Sequence, residues 1–180
     1  LPDAIVYPTG GGTGVLGMWK AFDELEALGL IDSRRPKMFC VQSEVTTPLV
    51  RAFDDGADDT HALPQTGSTL STGLNVPAGV GQFRVLQIIR ASGGAAVAVS
   101  EADTARELST VWRERRHWIS PEGAACLAAL PQLQQWPAPQ GTHAYLAVAP
   151  ESPGDAPAWR RIDCSSVSRP GPMSADASTR

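Results

Sequence analysis

The residues best placed to do chemistry in this sequence are glycines. Thr9 to Gly14 reads TGGGTG, with glycine at four of six positions. The run directly follows the short apolar stretch Ala4 to Pro8 and directly precedes a segment with helical spacing. Glycine tolerates positive φ and lets backbone approach a ligand closely. Successive N–H groups can then converge on one concavity, which suits an oxyanion, and a helix N-terminus behind them adds about half a positive charge. The hydroxyls of Thr9 and Thr13 are further donors, and a phosphate is the natural occupant. A plain strand-to-helix turn would need only one or two of these glycines.

Two readings of that phosphate stay open at this level. Gly12-Thr13-Gly14-Val15-Leu16-Gly17 fits G-x-G-x-x-G, the dinucleotide fingerprint, with Glu44 as the acid for the ribose. That acid should follow the glycines by about 20 residues, and Glu44 comes later. No lysine stands at the spacing of a nucleoside-triphosphate loop. The other ionisable residues offer little: the only lysines are Lys20 and Lys37, and Cys40, Cys126, Cys164, His61, His117 and His143 are scattered. No metal site is expected from them. Cys40 and Cys126 read as core thiols. Glu122 reads as a first-turn helix acid favoured by the dipole.

The elements that must position the glycines alternate in type. Ala4 to Pro8 is a buried strand, and Gly14 to Leu28 carries Val15, Met18, Trp19, Phe22, Leu25 and Leu28 at helical spacing, stopped by Gly29. Lys37 to Gln42 is a strand and Pro48 to Asp55 a short helix. Gly56 to Pro77 is a long surface loop. Ala78 to Ser92 is a helix with Val80, Phe83, Val85, Leu86, Ile88 and Ile89 as its apolar face. Ala95 to Val99 is a strand, with Ser100 as N-cap of the next helix. Pro121 to Leu130 is a helix and Tyr145 to Val148 the last strand. This order predicts an α/β fold: an open, mostly parallel sheet in three layers, with helices on both faces and ligands beyond the carboxyl ends of the strands. Residues 1–149 form the phosphate-binding domain. Residues 150–180, rich in proline and serine, form a disordered tail.

Composition narrows the partners. The chain has 180 residues, 42% of them hydrophobic, and a formal net charge of -4. Nucleic acid is not an expected partner. No apolar run reaches the length of about 20 residues that a membrane helix needs, and no signal peptide opens the chain. Three separated cysteines fit a reducing, cytoplasmic setting better than a disulfide framework. The chain opens on Leu1 rather than Met, as at a fragment boundary.

The stretch LPDAIVYPTGGGTGVLGMWKAFDELEALG (Leu1 to Gly29) resembles the phosphate-loop region of threonine synthases, members of the pyridoxal 5'-phosphate (PLP) enzymes with a tryptophan-synthase-β-like fold. PKMFCVQSEVTTPLVRAFDDG (Pro36 to Gly56), GLNVPAGVGQFRVLQIIRASGGAAVAVS (Gly73 to Ser100) and PEGAACLAAL (Pro121 to Leu130) follow in the family's order. The resemblance covers about residues 1 to 148. It implies PLP as cofactor, with Thr9, Gly10, Gly11, Gly12, Thr13 and Gly14 on its phosphate and Glu122 near its ring. It implies a lyase of amino-acid biosynthesis that converts O-phosphohomoserine, an amino-acid phosphate, to threonine and phosphate. The family's Schiff-base lysine lies before the glycine loop, in a half this sequence does not contain. Neither Lys20 nor Lys37 matches it, so no catalytic residue is assigned. The chain alone is expected to be inactive, and to need an N-terminal partner half or to self-associate through the face left apolar. Departures from the family pattern lie in Arg115-Arg116-His117-Trp118, where the family tends to carry a glycine turn, in the loop Asp58 to Ser71, and after the last strand. A nicotinamide-dinucleotide oxidoreductase built on Gly12, Gly14 and Gly17, and a non-enzymatic remnant, are the alternatives.

Overall fold

The computed structural model describes residues 1–63, 67–136, 143–146 and 160–163, the last two stretches as backbone alone. The elements are β1 (Ala4–Pro8), α1 (Thr13–Ala27), β2 (Lys37–Ser43), α2 (Pro48–Asp54), a 3-10 turn (Thr72–Leu74), α3 (Gln82–Ser92), β3 (Ala95–Val99), α4 (Glu101–Arg115), α5 (Pro121–Leu133), β4 (His143–Leu146) and β5 (Arg160–Asp163). The strands form one sheet in the order β3-β2-β1-β4-β5. The first four run parallel, and β5 joins the β4 edge antiparallel.

Strand alternation divides the core into two layers. Ile5, Met38, Cys40 and Ala96 point to one face, where Val15 and Phe22 of α1, Leu49 of α2 and Val85, Leu86 and Ile89 of α3 cover them. Val6, Phe39, Val41, Val97 and Val99 point to the other face, under Ala125, Cys126 and Ala129 of α5. Apolar side chains thus line both sides of the central strands, as expected of a parallel sheet sandwiched between helices. α4 packs chiefly on α5 and buries only Thr104 fully. The expected α/β sheet with helices on both faces is therefore the observed one.

The differences are local. The helix expected from Ala78 begins at Gln82 instead, because Gly81 adopts φ 90 as its N-cap. Val80 falls outside the helix and is 97% exposed, so it is no part of the apolar face, and Phe83 is exposed as well. α5 continues through Pro131 for one more turn. The loop after Gly56 is not wholly superficial: its 3-10 turn buries Leu74, with Ser71 beside it. The last parallel strand sits two residues early, at His143–Leu146. Arg160–Asp163, within the stretch expected to be a disordered tail, forms β5. The rest of 150–180 lies outside the described residues.

α1 ends as the sequence suggests. Gly29 takes φ 71, its N–H donates to the Glu26 carbonyl at 2.8 Å, and Leu30 N–H donates to Leu25 at 2.9 Å. This Schellman pairing satisfies carbonyls that the helix end would otherwise leave open.

Candidate functional site

The glycine run leaves the carboxyl end of β1, which pairs with β2 on one side and β4 on the other. Thr9 extends the ladder by one bond, its N–H donating to the Val41 carbonyl at 2.8 Å. The chain then turns into α1 through Gly12 at φ 90, and no side chain caps the helix. The first backbone bond of the helix runs from Leu16 N–H to the Gly12 carbonyl at 3.1 Å. Among the described residues, the N–H groups of Gly10, Gly11, Gly12, Thr13 and Gly14 have no hydrogen-bond partner. A helix start normally satisfies these donors with a cap or a ligand. Here the cap is absent and the donors are consecutive.

Packing explains the glycines individually. A Cβ at Gly10 would strike the backbone carbonyl of Gly73, and one at Gly14 would strike the Tyr7 hydroxyl. A Cβ at Gly12 would come within 2.6 Å of Val85. Gly11 differs, since a Cβ there meets nothing within 4 Å. The cradle thus opens at Gly11 and is walled elsewhere. Its donor set is backbone N–H at a helix N-terminus, which fits a phosphate group.

The remaining residues singled out in the sequence take distinct places. Thr13 is exposed at the first turn of α1, with its side chain available at the rim. Thr9 is 1% exposed, and its hydroxyl donates inward to the Tyr7 carbonyl at 3.0 Å. That hydroxyl is not an available extra donor; Thr9 anchors the loop. Glu122 stands in the first turn of α5 and accepts the Gly73 N–H at 2.9 Å. Because the Gly73 carbonyl backs onto Gly10, Glu122 is joined to the cradle through that turn. Glu44 accepts the Glu101 N–H at 3.3 Å, at the start of α4. A Cβ on Gly17 would meet open space, so this glycine serves no close helix–strand packing of the kind the dinucleotide fingerprint needs.

Neither lysine reaches the cradle. Lys37 is in register with Ala4 at the amino end of β1, whereas Pro8 is in register with Val41 at the other end. That separation is about 13 Å at 3.3 Å per residue. Lys20 lies about 12 Å along α1 from Gly12 and pairs with Glu24 on the exposed face. Cys40 and Cys126 are fully buried. Burial pushes the Cys40 thiol up to about 12 and raises Cys126 as well, so both are inert core thiols. Cys164 lies outside the described residues. No group of three metal-binding side chains occurs among the described residues. No helix there is long and apolar enough to cross a membrane.

The residues that sequence reading missed lie behind the loop. Gln42 and Gln82 are both 0% exposed. Gln42 Nε2 donates to the Thr9 carbonyl at 3.3 Å, and Gln82 Nε2 donates to the Gly10 carbonyl at 3.0 Å. The available signal was a glutamine inside the apolar strand KMFCVQS. Tyr7 was missed too: it lies half-buried beneath Gly14, and burial raises the pKa of its phenol.

Residues 1–149 match the family described as pyridoxal-phosphate dependent enzyme. The chain belongs to that family. The cofactor of this family, PLP, carries a phosphate group. Threonine synthase of Methanocaldococcus jannaschii is 30% identical over 134 residues, which cover 74% of this chain and 32% of that protein. Cysteate synthase of Methanospirillum hungatei JF-1 is 30% identical over 141 residues, covering 72% of this chain and 33% of that protein. The chain thus spans about a third of the length of these relatives. Among solved structures, a threonine deaminase from T.th. has a TM-score of 0.59 at 22% identity, over 77% of this chain and 46% of that one. Maize serine racemase has a TM-score of 0.58 at 18% identity, over 79% of this chain and 40% of that one. These two share the fold.

Proposed function

We propose that this chain is the phosphate-holding portion of a threonine-synthase-type enzyme and binds PLP through Gly10 to Gly14. The reading rests on one observation above the others: in a member of a PLP family, five consecutive amides at an uncapped helix start have no partner among the described residues, and they open to solvent at Gly11. Bound PLP supplies an electron sink for elimination and replacement at an amino-acid substrate. The chain's own part is to hold and orient. The loop amides fix the phosphate end, Thr13 borders it, and Glu122 steadies the turn that backs Gly10 by accepting the Gly73 N–H.

Proton transfer and cofactor attachment need a lysine, and Lys20 and Lys37 both lie too far from the cradle. In this reading the lysine comes from chain corresponding to the part of the relatives that this sequence does not span. Val80 and Phe83, exposed just before and within the first turn of α3, belong to the surface that part would cover. The reaction by this reading is conversion of O-phosphohomoserine and water to threonine and phosphate. The identity to cysteate synthase, 30% over a similar share of the chain, supports a second reading with another amino-acid substrate at the same cradle.

A calorimetric titration with PLP, repeated in excess inorganic phosphate, tests the proposal. Saturable binding that inorganic phosphate competes away is expected, with no turnover of O-phosphohomoserine by the chain alone. Binding that phosphate cannot displace would overturn the role of the loop. Turnover without added protein would overturn the need for a second segment.

A further inference from the structure

We infer that Gln42 and Gln82 are positioning residues that aim the Gly10 and Gly11 amides into the cradle and so set its affinity for phosphate; this rests on the phosphate-binding reading of the loop. A trans peptide carries its C=O and N–H on opposite sides. Gln42 holds the carbonyl of the Thr9–Gly10 peptide toward the interior, and Gln82 holds that of the Gly10–Gly11 peptide. The N–H groups of those same two peptides, on Gly10 and Gly11, are thereby turned the other way. Neither has a partner among the described residues, and Gly11 borders open space.

Each glutamine amide is itself locked in one orientation. Gln42 Oε1 accepts the Leu49 N–H at 3.0 Å and the Val50 N–H at 3.2 Å, capping α2 from the neighbouring strand. Gln82 Oε1 accepts the Thr60 hydroxyl at 2.6 Å. Flipping either amide would set its oxygen against a carbonyl oxygen, that of Thr9 or of Gly10, and for Gln42 would also set its NH2 against the Leu49 and Val50 N–H groups. Gly79 makes room for this arrangement, since a Cβ there would lie 2.9 Å from the Gln82 side chain.

Burying a polar amide is costly unless it is bonded, and an apolar side chain would fill either position. What the amide adds is a fixed peptide orientation in a run of three glycines, the residues least able to hold one by themselves. Holding the donors in place before the ligand arrives removes an ordering cost from binding.

The test uses the full chain with Gln82→Met, similar in shape but unable to donate, and Thr60→Val, which removes the hydroxyl that holds Gln82 Oε1. Inorganic phosphate and PLP are titrated by calorimetry. Residual dipolar couplings report the N–H directions of Gly10 and Gly11 without ligand. We expect about tenfold weaker binding of both ligands for Gln82→Met, a smaller loss for Thr60→Val, and altered couplings at Gly10 and Gly11 in both. Unchanged affinity and couplings in a folded Gln82→Met chain would overturn the inference. If Gln82→Met does not fold, Thr60→Val decides in the same way. If the parent chain takes up no phosphate, the phosphate reading falls, and the couplings alone decide whether the glutamines orient the loop.

Discussion

Two strand-to-helix crossings at the carboxyl end of the parallel strands solve one problem in opposite ways. Where β3 enters α4, the helix start is closed from within. Ser100 Oγ accepts the Asp103 N–H at 3.0 Å, Glu44 accepts the Glu101 N–H, and Glu101 and Asp103 place two acids in the first turn. Where β1 enters α1, there is no side-chain cap and no acid in the first turn. Both helices carry the same positive end. One neutralises it with side chains, and the other leaves it open. α3 also starts uncapped and without a first-turn acid, behind Gly81 at φ 90, so the consecutive glycines Gly10 to Gly12 are what set the start of α1 apart.

The contrast can be broken most directly with Gly11→Asp. Gly11 has open space and no positive φ, so the variant should fold while its carboxylate occupies the cradle. PLP affinity should fall by about 100-fold, the loss of more than one charge-assisted hydrogen bond, while Tm measured by calorimetry holds. Glu101→Gln tests the closed crossing. Burial works against the charged form of Glu101, but hydrogen bonds from Ser43, Thr69 and the Leu70 amide outweigh it and lower the pKa below the ordinary 4.5. A depressed carboxylate contributes stability above its ordinary pKa and loses it as pH falls through the folded value. At pH 7 Tm should drop by about 2–4 °C in the variant, and the gap should narrow below about pH 4.5. Ser100→Ala should cost about 1 kcal/mol in urea unfolding and leave PLP binding unchanged, because side chains already take the first amides of that helix. The smallest effect belongs to the far end of α4. Arg116 sits at φ 51, in the sequence stretch where the resemblance led us to expect a glycine. Arg116→Gly should stabilise by about 0.5 kcal/mol in the same assay, net of the lost packing of Arg116 over Trp112.

The sheet and the cradle were legible in the sequence because each announces itself locally. Apolar runs such as AIVYP and AAVAV declare buried strands, and glycines between a strand and a helix declare close backbone approach. The start of α3 was not legible, since Val80 and Phe83 fit a helical period and only the backbone conformation of Gly81 decides otherwise. Gln42 showed only as a glutamine inside an apolar strand, and Gln82 not at all, for a different reason. Their meaning lies in carbonyls 33 and 72 residues away in sequence, and no local pattern encodes that. Thr9 misled for the opposite reason: its hydroxyl is spent locally, on the Tyr7 carbonyl two residues back.

The place of β1 in the sheet has a thermodynamic consequence. It is the third of five strands and is hydrogen-bonded on both sides. Central strands of this kind open only when the whole domain does, so the strand end that carries the loop stays anchored. An occupant would leave by simple dissociation, and its binding free energy would protect the entire sheet from hydrogen exchange. At a phosphate ligand concentration 100 times its Kd, that protection amounts to about 2.7 kcal/mol.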